Sequence, residues 1–213
     1  MKLYSGPLSL FTAKVRIALA EKRVDYELVS VPFSRAGGYS PKHPEVLALN
    51  PRAQVPVLVD GDLSLYDSTI ILEYLEDRHP DPPLFPREPS ERARCRQAEA
   101  ASDELFFPHV WALIDEVFYK PEGERDASRV ATARMEIAET YRMLDADLAD
   151  REFLCRQFSV ADIAYFLTTM FATNLGAAPD PSLASFGAWL GRVAARPSVG
   201  KEMAGLTAAA AST

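Results

Sequence analysis

The sequence predicts an α/β domain followed by an all-helical domain. Short strand-like runs surround one amphipathic helix in the first part of the chain, and almost all of the last part has helical periodicity. Between them, residues 79–89 contain five prolines, a density that is incompatible with regular helix or strand. We therefore expect an α/β domain at residues 1–79, a proline-rich linker at 80–89 and an all-α domain at 90–213.

The first elements are predicted as β-α-β. Residues 2–4 form a short strand, a turn follows at residues 5–7, and residues 13–22 form a helix whose apolar side chains recur on one face. Residues 25–31 alternate in polarity as a second strand. Because a right-handed crossover connects strands of this kind, we expect the two strands to lie parallel in one sheet.

A β-β-α unit follows an irregular loop at residues 32–44. Residues 55–59 are predicted as a strand, residues 60–61 as a tight Asp-Gly turn and residues 63–66 as the returning strand. A helix then opens at residues 67–68, where an Asp-Ser pair precedes an apolar run. The order β-α-β, β-β-α is that of a thioredoxin-like domain, which we expect for the first part of the chain.

Beyond the linker, apolar periodicity predicts a series of helices. They span residues 90–117, 127–149, 160–173, 183–195 and 199–208. Ser159 and Asp162 have the spacing of a capping box, in which each side chain bonds to a backbone amide at the other position. We expect this box to begin a core helix rather than to take part in catalysis.

Two features of the β-β-α unit predict a ligand site. Pro56 lies in a strand-like run although it has no amide proton for a ladder, so the run is either a sheet edge or contains a cis Val55-Pro56 bond. The backbone of Val55 then stays available to a ligand. The helix that opens at Asp67 and Ser68 has amides without internal partners, which together with the helix dipole favour a carboxylate. An anionic peptide fits both points.

This arrangement resembles the glutathione site of the cytosolic glutathione transferases. The resemblance rests on Gln54, Val55 and Pro56, then a strand, a turn, and Asp67-Ser68 at the start of a helix. In that family, the residue before a cis-proline pairs its backbone with the cysteinyl unit of glutathione. The acidic residue and the serine hold the γ-glutamyl group. The resemblance therefore implies glutathione as a co-substrate, and it also places Lys42 and Gln54 near the glycyl end.

Ser9 is the candidate catalytic residue. The run from Ser9 to Lys22 resembles the first helix of the serine-type transferases (phi, tau and zeta classes), in which a serine lies five residues before the basic residue at the position of Lys14. A hydroxyl just ahead of a helix N-terminus can donate to a developing thiolate, and the dipole adds favourable potential. Tau-type sequences have proline where this chain has Leu10, and Thr12 offers a second hydroxyl, so either Ser9 or Thr12 is the donor.

Composition excludes several classes of partner. The formal net charge is -7 and the pI is about 5.1, which leaves no basic field for nucleic acid or for an anionic membrane surface. Cys95 and Cys155 are too few for a disulfide framework, and we expect a soluble, cytoplasmic protein without a secretory leader or a membrane span. The three histidines lack metal-ligand spacing, so no metal site is expected.

The resemblance implies an enzyme that conjugates the glutathione thiolate to a hydrophobic, electrophilic small molecule. It also implies a homodimer. A glutathione-dependent isomerase or peroxidase uses the same site and stays open, as does a non-catalytic adaptor similar to the stringent starvation proteins that attach to RNA polymerase. The presence of Ser9, Gln54, Asp67 and Ser68 favours the enzyme, since a pure interaction module has no use for them.

Overall fold

A computed structural model describes residues 1–212, which pack into two compact units. The first unit comprises Met1–Leu84 together with the C-terminal segment from Arg196 onward, and the second comprises Phe85–Ala195. The domain boundaries drawn from the sequence stay predictions. The packing adds that the last helix belongs with the first unit, an association between distant segments that helical periodicity cannot reveal.

One four-stranded mixed sheet forms the centre of the first unit. Its strands are β1 Lys2–Ser5, β2 Glu27–Ser30, β3 Val57–Asp60 and β4 Leu63–Tyr66. They lie in the order β2-β1-β3-β4, with β1 parallel to β2 and the other two pairings antiparallel. The predicted parallel pairing is confirmed, β4 has its predicted bounds, and the unit is thioredoxin-like.

Helices account for most of the remaining chain. In order, they are α1 Leu10–Glu21, α2 Pro44–Leu49, α3 Ser68–Arg78, α4 Pro89–Ala101, α5 Phe107–Leu113, α6 Ala127–Asp147, α7 Val160–Asn174, α8 Ala184–Ala194 and α9 Pro197–Ala211. The second unit is helical, as predicted. Within residues 1–212, no helix has both the length and the hydropathy that crossing a membrane requires.

Two helices of the first unit differ from their predictions. α1 begins at Leu10 rather than at residue 13, because the Ser9 side chain accepts a hydrogen bond from the Thr12 amide at 3.2 Å and caps the helix. The short helix α2 lies partly in what was predicted as loop. His43 caps it and Pro44 occupies its first turn, but six residues are too few for a periodic pattern.

The helix predicted over residues 90–117 is interrupted. α4 passes into a π-helical turn at Ser102–Phe106, and α5 passes into another at Ile114–Tyr119. Pro108 lies in the first turn of α5 and has no amide proton to donate, so the hydrogen-bond ladder shifts at this point. The helix expected over residues 90–117 is therefore replaced by α4, α5 and the two π-helical turns.

The predicted capping box begins α7. The buried Asp162 carboxylate accepts from the Ser159 amide and hydroxyl, each at 2.9 Å. It also accepts from the Leu154 amide at 3.0 Å and from the Trp189 indole at 2.8 Å. Burial raises the pKa of Asp162, and these hydrogen bonds act against that rise. One carboxylate therefore ties the turn before α7 to α8.

Two arginines fix α9 to the N-terminal part of the first unit. The Arg16 Nε on α1 donates to both carboxylate oxygens of Glu202 at 3.0 and 2.9 Å, and its Nη1 donates to the Gly6 carbonyl at 3.4 Å. Arg196 donates to the Glu21 carboxylate at 3.0 and 2.6 Å. The first of these contacts connects α9 to the loop that leads to Ser9.

A buried ion pair holds the proline-rich segment against α1 and α3. Lys22 Nζ lies 2.7 Å from Glu76 Oε2, and the two side chains are 0% and 5% exposed. Lys22 also donates to the carbonyls of His79 and Pro82 at 2.7 and 3.1 Å. Glu76 accepts from the Leu84 amide at 3.0 Å. The pair therefore satisfies backbone groups on a segment that has no regular structure of its own.

We expect Lys22→Met to lower the free energy of unfolding by about 3–5 kcal/mol, because it leaves the Glu76 carboxylate buried without its cation. Denaturant unfolding measures this. The control is Lys2→Met, which removes an exposed pair with Glu27 at 3.7 Å and should change stability by less than about 1 kcal/mol. Equal effects of the two substitutions would contradict this account of the pair.

Candidate functional site

Three segments of the first unit carry predicted site residues. All three leave the sheet at the same end of its strands. Val57, the first residue of β3, pairs with Tyr4 on β1 and with Tyr66 on β4. Because both neighbours are antiparallel to β3, their carboxyl ends lie beside the amino end of β3. The chain before β3 and the chains after β1 and β4 therefore meet at one end of the strands, which we call the loop edge. The term means this end of the sheet and not one of its two outer strands.

Ser9 lies at the loop edge, after β1. It is partly exposed, it has extended backbone angles as the N-cap of α1, and its side-chain oxygen accepts from the Thr12 amide at 3.2 Å. That bond uses a lone pair of the hydroxyl oxygen and leaves the hydroxyl proton for another acceptor. The serine is therefore both a structural cap and a potential donor at a helix N-terminus.

Thr12, the alternative donor, is placed differently. Its side chain is fully buried, and its Oγ1 lies 3.5 Å from the Gly6 amide as the acceptor. A thiolate would have to displace packed neighbours to reach this hydroxyl. Of the two candidates, Ser9 is the one that is partly exposed.

The chain before β3 is shaped by Asn50, a residue that sequence reasoning missed. Asn50 is 3% exposed; its Nδ2 donates to the Gln54 carbonyl at 2.7 Å and its Oδ1 accepts from the Arg52 amide at 2.9 Å. Its backbone carbonyl accepts from the Ala53 amide at 2.8 Å. This turn fixes the approach to Val55, and the Gln54 side chain is exposed beside it.

The Val55-Pro56 bond is cis. The sequence offered two explanations for a proline in this run. The first, that the run is an outer strand of the sheet, is wrong because β3 lies between β1 and β4. The cis alternative is the one observed. Pairing starts at Val57, so the backbone of Val55 lies outside the ladder, at the loop edge.

Asp67 and Ser68 form the start of α3. Asp67 has φ 75°, a left-handed value that is uncommon outside glycine, and its Oδ1 accepts from the Thr69 amide at 3.0 Å. It is thus the N-cap of an 11-residue helix. Ser68 is the first helical residue and is buried at 4% exposure. Strain at a cap of this kind occurs where the surrounding structure needs a particular chain direction.

The loop after β2 is more ordered than its composition predicted. Ser34 and Gly38 exchange backbone hydrogen bonds at 2.9 and 2.7 Å. Tyr39 packs so closely over Gly6 that a Cβ on Gly6 would lie 2.5 Å from the Tyr39 hydroxyl. Lys42 is exposed and lies two residues before α2, in the part of the loop that leads away from Tyr39.

Helix N-termini provide the electrostatic character of the loop edge. α1 and α3 both begin there, and their first amides carry partial positive charge. Among residues 1–212, no three His, Cys, Asp or Glu side chains cluster in a way that could hold a metal ion. The site is suited to an anionic ligand that also carries groups for backbone pairing.

Comparison with protein families identifies the site's origin. Residues 3–83 match the model of the glutathione S-transferase N-terminal domain, and residues 100–197 match that of the C-terminal domain. The chain belongs to the glutathione S-transferase family. The predicted family and fold are thereby confirmed.

Similar proteins carry different names. The chain is 42% identical over 118 residues to the stringent starvation protein A homolog of Coxiella burnetii, a match that covers 54% of this chain and 52% of that protein. It is 30% identical over 215 residues to glutathione S-transferase 3 of Zea mays, covering 97% and 94%. The theta class glutathione S-transferase of Xanthomonas axonopodis pv. citri, solved with glutathione bound, superposes with a TM-score of 0.81 at 28% identity, covering 94% and 95%.

We expect Asn50→Ala to lower the free energy of unfolding of this glutathione S-transferase family member by about 1–3 kcal/mol, because the Gln54 carbonyl and the Arg52 amide lose their buried partner. Urea unfolding measures the change. Asn174→Ala, at the exposed end of α7, is the matched control and should change stability by less than about 0.5 kcal/mol. An unchanged midpoint for Asn50→Ala would mean that the turn does not depend on this side chain.

Proposed function

We propose that the protein is a cytoplasmic glutathione transferase that binds glutathione at the loop edge and activates its thiol through Ser9. The observation that carries this proposal is the meeting of Ser9, Val55 and the Asp67-Ser68 pair at one edge of the sheet. A tripeptide with two carboxylates can contact all three segments at once. Membership of the family, and a similar structure with glutathione bound, support the ligand.

The proposed binding mode divides glutathione among the three segments. Val55 offers an unpaired backbone to the cysteinyl unit, since β3 pairing starts only at Val57. The α-carboxylate of the γ-glutamyl group lies against the N-terminus of α3, at Ser68, with Asp67 facing its ammonium. The Gln54 side chain and Lys42, both exposed, serve the glycyl end.

The proposed chemistry is thiolate activation without a general base. The Ser9 hydroxyl oxygen is engaged by the Thr12 amide, so its proton points to another acceptor, and a glutathione sulfur at the loop edge is that acceptor. The hydrogen bond and the dipole of α1 stabilise the thiolate more than the thiol, which lowers the thiol pKa. The thiolate then attacks a hydrophobic electrophile. The burial of Thr12 supports Ser9 as the donor.

A homodimer is part of this proposal. Leu63 and Tyr66 on β4 and Ile70 on α3 are 41%, 39% and 52% exposed, which is unusual for large apolar side chains on neighbouring elements. A second subunit that packed against the outer strand β4 and the first turn of α3 would remove them from water.

A second candidate is a non-catalytic protein on the same fold. The similarity to a protein named stringent starvation protein A homolog favours it. The two candidates differ in what they require of Ser9: an adaptor has no need of a thiolate donor, whereas a transferase loses its activation step without one. Measurement of thiol ionisation therefore separates them.

Glutathione binding is tested with Ser68→Ala, which should weaken binding by about 1–3 kcal/mol because a hydrogen bond to a charged carboxylate is lost. Isothermal titration calorimetry measures the affinity. Ser64→Ala changes an exposed serine on the neighbouring strand β4 and should leave binding unchanged. If Ser68→Ala binds as tightly as the wild type, the assignment of the γ-glutamyl position to α3 is wrong.

Thiol activation is tested with Ser9→Ala, which should raise the thiol pKa of bound glutathione by about one to two units, the equivalent of a charge-assisted hydrogen bond of about 1.5–3 kcal/mol. Turnover at neutral pH should fall while glutathione affinity stays nearly the same. Thiolate absorbance against pH, compared with Thr12→Ala, measures the shift. A shift in Thr12→Ala alone would move the role to Thr12, and absence of thiolate in the wild type at neutral pH would favour the adaptor.

A further inference from the structure

We propose that Cys95 and Cys155 form a peroxide-reactive dithiol in the helical unit, in which Cys155 attacks a hydroperoxide and Cys95 then closes a disulfide. This site belongs to the second unit, whereas the loop edge belongs to the first. It does not depend on the function proposed for glutathione. Its ligand class is a small hydroperoxide, either hydrogen peroxide or a short organic one.

The two thiols are neighbours in the helical unit. Cys95 lies on α4 and is fully buried, and Cys155 lies in the turn before α7 at 8% exposure. Their side chains are hydrogen-bonded to each other, with the Ser159 hydroxyl and the Ala161 amide beside them. A disulfide between them would bring the two sulfur atoms to about 2 Å, with the Cα atoms about 4.4–6.8 Å apart.

Cys155 also lines a cavity of about 140 Å³. Three arginines surround this cavity, together with one carboxylate and two apolar side chains: Arg94, Arg151, Arg156, Glu91, Ala98 and Leu154. A water molecule takes up about 30 Å³ in the liquid, so the cavity has room for a molecule of a few heavy atoms. Glutathione disulfide is far too large for this cavity, whereas a small hydroperoxide fits.

The surroundings make the two thiols unequal. The hydrogen bond from Cys95 lowers the pKa of Cys155 by stabilising its thiolate, against the opposing effects of burial, Asp162 and Glu91. The same hydrogen bond, together with burial, raises the pKa of Cys95. Cys155, which faces the cavity, is thus the thiol that ionises more easily, and Cys95 is the one that ionises less easily.

The reaction has two balanced steps. In the first, the Cys155 thiolate attacks one peroxide oxygen, the O–O bond breaks, and the leaving oxygen takes a proton and departs as water or an alcohol; Cys155 becomes a sulfenic acid. In the second, the Cys95 sulfur loses its proton and attacks the Cys155 sulfur, and the sulfenic hydroxyl leaves as water. Two thiols lose two electrons and two protons, and the hydroperoxide is reduced by the same two electrons.

The geometry also explains why the sulfenic acid would be short-lived. Cys95 is the hydrogen-bonding partner of Cys155, so the resolving thiol is a neighbour of the sulfenic acid when that acid forms. Arg156 has φ 63° and Cys155 forms an isolated bridge with Gln157, so the attacking residue lies in a tight turn rather than in a helix. A turn accommodates the small shift that forms the new bond more easily than a helix interior does.

The full-length protein, with its thiols reduced, is treated with hydrogen peroxide at pH 7. Intact-mass spectrometry should show a loss of two hydrogens per chain, and peptide mapping should join the Cys95 and Cys155 peptides within one chain. Cys95→Ser should trap the sulfenic acid on Cys155, detected as a dimedone adduct, and Cys155→Ser should leave Cys95 unmodified. The isosteric hydroxyl keeps the buried volume, and the wild-type result stands even if a variant folds poorly.

Charge variants test the role of the cavity with effects of opposite sign. Arg94→Gln should slow thiol oxidation about two- to fivefold, and Glu91→Gln should accelerate it by a similar factor, because the first removes a positive charge from the cavity and the second a negative one. Arg142→Gln, on an exposed face of α6, is the matched control and should not change the rate.

Three outcomes would overturn the proposal. The first is that the wild-type protein keeps both thiols reduced at a hydrogen peroxide concentration at which Cys95→Ser gives the dimedone adduct. The second is a disulfide that forms only between chains. The third is Cys95 reacting in the Cys155→Ser protein as fast as Cys155 reacts in Cys95→Ser.

Discussion

The arrangement of the site depends on the register of one strand. β3 lies between β1 and β4, with Val57 opposite both Tyr4 and Tyr66, and this register determines which three loops meet at the loop edge. A shift by one residue would turn every side chain of β3 to the other face. Val57 and Leu58 are buried at 0% and 1% exposure, one on each face, so burial of apolar surface holds the register and thereby the site.

The polarity of the loop edge comes from the backbone rather than from charged side chains. The chain as a whole carries a formal net charge of -7, which disfavours an anionic ligand at long range. Within the first turn of a helix, however, amide donors outweigh a distant and screened field. Ser9 and Asp67 each cap a helix at this edge, so two residues of the proposed site also shape the helix ends that favour an anion.

The features that the sequence predicted correctly are those that depend on residues close together in the chain. β4 was correctly bounded because alternation and an Asp-Gly turn frame it, and the cis option at Pro56 followed from a proline in a strand-like run. Asn50 escaped prediction because its two hydrogen bonds depend on burial, which the sequence around it does not reveal. The contact of Arg16 with Glu202 spans 186 residues, beyond any periodic signal. The short helix α2 and the π-helical turns have too few residues to produce a periodic pattern in the sequence.

The position of α9 has a consequence for the order in which the protein is assembled during synthesis. The helical unit, Phe85–Ala195, is a continuous stretch, whereas the first unit takes its last helix from the end of the chain. Arg16 can bind Glu202 only after residue 202 has been synthesised, whereas the strands of the first unit are synthesised much earlier. The middle of the chain can therefore finish folding before its beginning does. Of the elements of the first unit, α9 is therefore the last to become available for packing.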